Sequence, residues 1–296
     1  MKKKKKLKIA IVGPGRIGTI AAYQLLEKQI ASKIYLIGSN IVKTSAEVKD
    51  IQHTLSGEIE VGNLKDCNKA DLVIITAAIR HLKPKEERKS LLEYNIALIK
   101  NIIKPIKTNP IILIVTTPIE ALAYATLKLS HASNSKIITT GTVLDTQRLK
   151  FLLSQKNLVS NKEIDGVLIG EHGSGVIPVW DTIKIKGKRI KKDPRLLQDI
   201  KNIGLEIGIG KGGSSWFGIV SSISKIAEAV QKESNEYITV GSYNEKYGVV
   251  LSLPTRLGRK GVIDVREPKL DQEAQIELNR VVKNLVKQQS KVDNIL

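Results

Sequence analysis

The chain has a single cysteine, Cys67, a single methionine, and aromatic residues at only 4% of its 296 positions. One thiol excludes an internal disulfide framework and fits a reducing compartment, so the expected location is cytoplasmic. Long hydrophobic runs are missing as well. Stretches such as Ile111–Val115 suit strands and fall far short of the roughly 20 apolar residues a membrane helix needs, so no membrane partner is expected. Lys2–Lys6 has the charge of a signal-peptide start, but its apolar continuation, Ile9–Val12, is short and runs straight into Gly13–Pro14–Gly15. Acidic residues are scarce: 29 Asp and Glu against 48 Lys and Arg give a net charge of +19. Such a surplus admits nucleic acid as a partner. However, the lysines are spread along the chain and interleaved with isoleucine, as over Lys184–Lys192, with no aromatic residues between them to stack bases. No nucleic-acid role is expected. The charge instead favours anionic substrates and phosphorylated cofactors.

Apolar segments at Lys8–Val12, Ile34–Ile37, Leu72–Thr76, Ile111–Thr116 and Ile137–Thr140 alternate with amphipathic stretches such as Ile17–Lys28 and Lys89–Ile103. That is the pattern of βαβ units in a parallel sheet. After Thr140 the spacing changes. A helix over Asp145–Ser154 leads into strand–turn material, and the chain ends in a long polar–apolar helix, Asp271–Ser290. The expected class is α/β: a doubly wound parallel sheet over residues 1–142, then an α+β substrate domain over 143–296. A chain of 296 residues is long for one core and comfortable for two.

Gly13–Pro14–Gly15–Arg16–Ile17–Gly18 follows the first strand and opens the first helix, the context in which a GxGxxG run becomes a dinucleotide cradle. The first glycine makes the turn, the second lets backbone approach a pyrophosphate, and the third lets helix and strand close up. The helix N-terminus adds partial positive charge. In an NAD(H) site the second strand ends in an acid that binds the adenosine ribose. Here that place reads Leu36–Ile37–Gly38–Ser39–Asn40. No carboxylate is present to repel a 2′-phosphate; Gly38 leaves room, and Ser39, Asn40 and Lys43 can donate to it. The expected cofactor is NADP(H) or NAD(H), with NADP(H) preferred.

Further on, an apolar strand ends in Gly170–Glu171–His172–Gly173, presenting an imidazole that can give and take a proton near neutrality. Upstream, Gly141–Thr–Val–Leu–Asp145–Thr–Gln–Arg148 puts Asp145 and Arg148 on one helix face. An aspartate can hold an imidazole's tautomer and favour its charged form. A guanidinium can hold a carboxylate through two parallel hydrogen bonds. Singly, these residues also read as a core histidine, a helix N-cap and a surface ion pair. Together, after a dinucleotide cradle, they describe hydride transfer to a 2-oxo acid. Arg88 closes the charged run Lys83–Arg88, a candidate lid.

These segments, with Asp50–His53, Leu72–Ala77, Pro178–Trp180 and Lys211–Gly218, resemble the L-lactate/L-malate dehydrogenase family over nearly the whole chain. The resemblance implies a Rossmann domain, with His172 as acid/base, Asp145 as its partner, Arg148 as clamp on the substrate carboxylate and Arg88 as polariser of the carbonyl. It places Thr76, Ala77 and Asn95 at the cofactor beside Gly13, Gly15, Arg16, Ile17 and Gly18. Leu82, Thr117 and Ser215 fall at the substrate. It also implies a small 2-oxo or 2-hydroxy acid as partner and a homodimer or homotetramer as assembly.

The departures from the family pattern carry information too. Thr117 stands where the family usually has Asn, Ala78 replaces a Gly, and the lid holds one extra residue. Before the lid's Lys83–Pro84 a Gln resembles the lactate branch and an Arg the malate branch; Leu82 stands there. A leucine cannot pair with a second carboxylate and favours an aliphatic side chain. Shifting the gap brings Arg80 into the pocket and favours oxaloacetate, as in a malate dehydrogenase. The remaining phrasing is closer to the lactate branch. A non-catalytic nucleotide-binding relative is the alternative from another class.

Overall fold

The computed structural model describes residues 5–54, 57–79 and 88–296, with backbone alone for 88–90. The first strand, β1 (Leu7–Val12), is apolar and buried except at Lys8. β4 (Leu72–Ile75) and β5 (Ile111–Ile114) are continuously apolar and fully buried, as strands covered on both faces must be. They form a parallel sheet with β2 (Ala31–Ile37), β3 (Glu58–Gly62) and β6 (Ile137–Thr139), in the order β3-β2-β1-β4-β5-β6. Strand order reverses between β1 and β4, the kind of switch point beyond whose strand carboxyl ends ligands bind in doubly wound sheets.

Alternate residues of β1 feed two cores. Leu7, Ile9 and Ile11 pack with Ala22 and Leu25 of α1 (Arg16–Glu27) and Ile223 and Ile226 of α7 (Trp216–Lys232). Ala10 and Val12 face Ile96 and Ile99 of α3 (Arg88–Ile103) and Leu122 of α4 (Ile119–Leu129). The second half of the chain therefore covers one face of the first half's sheet.

The sheet itself runs on. β6 pairs antiparallel with β12 (Tyr237–Asn244), which pairs with β13 (Val249–Gly258) and, through it, with β8 (Leu168–Gly170) and β9 (Val176–Pro178). Over this antiparallel part lies α8 (Gln272–Asp293), capped by Asp271, whose side chain accepts from the Ala274 N–H. Its Leu278, Val281 and Leu285 pack with Ile169, Ile177 and Leu251. On the other side α5 (Val143–Asn157) and α6 (Pro194–Lys211) enclose Leu149, Leu168, Val176 and Ile200.

The expected strands all form, within a residue or a few of their expected bounds. Pattern reading omits β3, an edge strand whose Glu58 and Glu60 face solvent around a buried Ile59.

Candidate active site

Three elements carry the candidate chemistry, and local hydrogen bonds fix their register. The first turn of α5 is tied to β8: the Thr142 hydroxyl donates to the Leu168 carbonyl, and the Thr146 hydroxyl accepts from the Leu168 N–H. β8 ends at Gly170 in the left-handed region, φ +100°, where an added Cβ would lie 2.3 Å from the Gly175 carbonyl oxygen. The tight turn that follows projects His172 back toward α5. Its Nδ1 lies 2.7 Å from Asp145 Oδ2. A carboxylate only accepts, so Nδ1 carries the hydrogen and Nε2 is left to face a ligand.

Asp145 is almost wholly buried, while the His172 side chain keeps 34% of its surface exposed. Burial works to lower the pKa of His172, but the hydrogen bond and charge of Asp145, joined by Glu120, outweigh it and raise the imidazole above its ordinary value. Asp145's other oxygen lies 3.4 Å from Arg148 Nη1. This is the guanidinium's hydrogen bond among the described residues. Most of its donors therefore remain for an anion.

α6 passes directly over that guanidinium at Gly204. A Cβ there would lie 3.1 Å from Nη1 and 3.3 Å from Nη2. Sequence reasoning missed Gly204, one of three glycines in α6 with nothing local to single it out. It missed Thr116 too, whose buried hydroxyl donates to the Ala77 carbonyl at 2.7 Å. Both are visible only once the elements are packed together.

The glycine loop sits at the carboxyl end of β1, between that strand and α1. Gly13 has φ +113°, and a Cβ there would lie 2.5 Å from the Ala77 nitrogen. Gly18 approaches the Gly13 carbonyl closely enough that a Cβ would stand 2.1 Å from its oxygen. The Thr76 hydroxyl donates to the same carbonyl at 2.9 Å, so Thr76 latches the loop. At Gly15, by contrast, a Cβ would meet nothing within 4 Å, and no side chain caps α1. An open glycine above uncapped helix N–H groups fits a pyrophosphate.

The N-terminal half, residues 7–139, matches the model of the lactate/malate dehydrogenase NAD-binding domain, and residues 142–295 match that of the family's alpha/beta C-terminal domain. The chain belongs to the lactate/malate dehydrogenase family. It is an NAD-binding oxidoreductase of the lactate/malate type. An L-lactate dehydrogenase of Acetivibrio thermocellus is 34% identical over 91% of this chain and 92% of its own length. One from Halalkalibacterium halodurans is 31% identical over 94% and 95%. Among solved structures, a lactate dehydrogenase from a Medee basin deep-sea metagenome library superposes with a TM-score of 0.92 at 26% identity, covering 98% of this chain and 99% of that one.

Within the family's fold, the remaining expected residues fall as follows. Arg16 stacks its guanidinium 4.2 Å from the centroid of the Trp216 ring, joining the nucleotide loop to α7, and Ile17 lies beside it, packed on the core. Asn95 is buried; its Oδ1 accepts from the Ile79 N–H at 3.0 Å, and its Nδ2 has no partner among the described residues. Thr117 is exposed at the carboxyl end of β5 and joined to Pro118 by a cis peptide bond. Ser215 is the N-cap of α7 but makes no side-chain cap bond. Arg80, Leu82 and the lid over 83–87 lie outside the described residues, as does the Arg88 side chain.

One expectation needs correction. Gly38 leaves no room on its Cβ side, because a Cβ would lie 2.4 Å from both Pro14 Cγ and Thr44 Oγ1. Pro14 of the glycine loop and Thr44 of α2 (Ile41–Gln52) fill that space. The Asn40 side chain caps α2 by accepting the Lys43 N–H through Oδ1 at 2.9 Å, which leaves its Nδ2 free to donate. Ser39 stays exposed at the rim, as does Lys43. Among the described residues no helix is long and apolar enough to cross a membrane.

Proposed function

We propose that this protein is an L-2-hydroxyacid dehydrogenase of the lactate type, reducing pyruvate or a larger aliphatic 2-oxo acid with NADPH in preference to NADH. The observation that carries the reading is the His172–Asp145–Arg148 constellation, held at 2.7 and 3.4 Å, in a chain that also presents the open Gly15 cradle. The bound dinucleotide supplies the hydride. Arg148 holds the substrate carboxylate, which its unused donors suit. His172 gives its Nε2 proton to the carbonyl oxygen as the carbon accepts hydride, and the neutral imidazole that remains stays oriented by Asp145. Arg88 polarises the carbonyl and Thr117 lines the substrate. Leu82 and Ser215 leave an aliphatic side chain room and offer a second carboxylate no partner.

Support for NADP(H) comes from the missing acid after β2 and from exposed Ser39 and Lys43 at the pocket rim. Thr76, Ala77 and Asn95 complete the nucleotide side. Assembly as a homodimer or homotetramer accords with exposed Leu205, Ile209 and Phe217 on α6 and α7. The buried free thiol of Cys67 suits the cytoplasm.

The test is the initial rate of NADPH and NADH oxidation with pyruvate, 2-oxoisocaproate and oxaloacetate. Turnover of the first two, faster with NADPH, is expected. A faster rate with oxaloacetate would overturn the reading of Leu82. Folded protein that binds the nucleotide but reduces none of the three would overturn the activity itself.

A further inference from the structure

Glu120 is an ionisable residue buried to 5% exposure and has no part in the chemistry above. It stands in the first turn of α4, and its Oε1 accepts the backbone N–H of His172 at 3.1 Å. On its α8 side it meets Gln288 and Gln289, which with Leu285 and Val250 of β13 line a seam with no room for a water molecule. Toward α3 the surroundings are apolar, with Ile96 and Ile99 packed near Ala121 and Leu122. The charged groups that act on it are Glu171, next on the same turn, and His172. Glu171 is itself held by Gln288, whose Nε2 donates to its Oε1 at 2.6 Å. The Tyr124, Lys128 and Asp293 cluster joins α4 to α8 farther along the helices.

A carboxyl group in such a place carries a desolvation cost that an apolar or amide side chain would avoid. Burial, then the charge of Glu171, push Glu120 up to about 7, against the N–H of His172, which favours the ionised form. The ionised carboxylate also acts back on the imidazole, raising the pKa of His172 alongside Asp145.

We infer that Glu120 is a positioning residue for His172: it anchors the main chain of the catalytic turn as Asp145 anchors the ring, and its charge sustains the imidazolium. This rests on His172 acting as the acid/base. Two carboxylates then serve one histidine, one bound to its ring and one to its backbone.

The test separates anchor from charge. E120Q keeps an acceptor for the His172 N–H and removes the charge; E120A removes both. The His172 titration is followed through histidine ring NMR signals, assigned with His172→Asn, beside the pH profile of kcat/KM for pyruvate reduction. In E120Q the titration and the alkaline limb of the profile both move to lower pH, with cofactor Kd unchanged. In E120A kcat falls about tenfold further than in E120Q, the loss expected when an anchoring hydrogen bond worth about 1.4 kcal/mol is gone. An unmoved His172 titration in folded E120Q would overturn the inference, since a merely structural carboxyl would lower thermal stability without shifting it. Should wild-type protein reduce no 2-oxo acid, the activity reading fails alone and the NMR titration still decides the role of Glu120.

Discussion

The Nδ1 of His172 and the Oδ2 of Asp145 lie 2.7 Å apart although 27 residues separate them in the chain. Neither residue reaches the other by local geometry. Asp145 rides on the first turn of α5, His172 on the turn after β8, and the Thr142 and Thr146 hydroxyls lock those two elements together at Leu168. The same aspartate turns its second oxygen to Arg148. One buried carboxylate therefore orients both the imidazole of His172 and the guanidinium of Arg148.

Asp145→Asn tests that arrangement. The amide keeps the volume, loses the charge and can present a donor to Nδ1, favouring the wrong tautomer. We expect kcat for 2-oxo acid reduction to fall by about two to four orders of magnitude. The sign of the pH effect follows from His172, whose pKa is raised in the native protein. Reduction needs the imidazolium, so it holds below that pKa and is lost as pH rises through it. Removing the Asp145 charge lowers the pKa, and the alkaline limb moves to lower pH. A loss below tenfold with an unmoved limb would sink the assignment.

If the proposed NADP(H) preference holds, Ser39 rather than Gly38 is the residue that tests it. Ser39→Asp brings a carboxylate to the exposed rim, where it repels a 2′-phosphate and accepts ribose hydroxyls. The ratio of kcat/KM for NADPH over NADH should fall tenfold or more, about 1.4 kcal/mol. Gly38→Ala instead drives a methyl group within 2.4 Å of Pro14 Cγ and Thr44 Oγ1. It should cost about 1–3 kcal/mol of stability and weaken both cofactors with little change in their ratio. An unchanged ratio in Ser39→Asp would refute the phosphate-rim argument.

Leu158 ends α5 at φ 51°, ψ 46° and is 93% exposed. A leucine in this left-handed conformation is strained by its Cβ, and its side chain buries almost nothing in return. Leu158→Gly relieves the strain, partly offset by the freer unfolded chain. The expected gain is about 0.5–1 kcal/mol, a rise of roughly 1–4 °C in Tm by calorimetry, with kcat unaltered. A lower Tm would show that the exposed leucine is held by something other than its own strand of chain, such as a neighbouring subunit.

Much of this was legible in the sequence because the signals are local. Continuous apolar runs mark Ile9–Val12 of β1 and all of β4 and β5, and GPGRIG falls between strand and helix. The spacing of Asp145 and Arg148 puts them on one face without any tertiary knowledge. What stayed hidden depends on elements distant in sequence meeting. β3 alternates weakly because it lies at the sheet edge, and the antiparallel strands β12 and β13 have no helical crossover to announce them. Gly38 reads as empty space until Pro14 is seen to occupy it. Glu120 looks like an ordinary acidic residue in a helix's first turn, a common and favourable place, until the His172 N–H is found against it.

Gly204 gives the sharpest contrast between local propensity and packing. α6 carries glycines at 204, 208 and 210, and replacing any by alanine in a helix gains about 1 kcal/mol in propensity. At Gly210 a Cβ would meet nothing within 4 Å, so Gly210→Ala should collect that gain and leave catalysis alone. At Gly204 the same methyl group would stand 3.1 Å from Arg148 Nη1, closer than comfortable van der Waals contact. The guanidinium is the far end of a flexible side chain, so it yields, and in yielding it leaves the position proposed for holding a substrate carboxylate. Gly204→Ala should therefore raise KM for pyruvate about tenfold with a smaller change in kcat, while its Tm rises as in Gly210→Ala. Matching kinetics in the two variants would show that Arg148 has slack to spare and that the glycine serves the helix rather than the clamp.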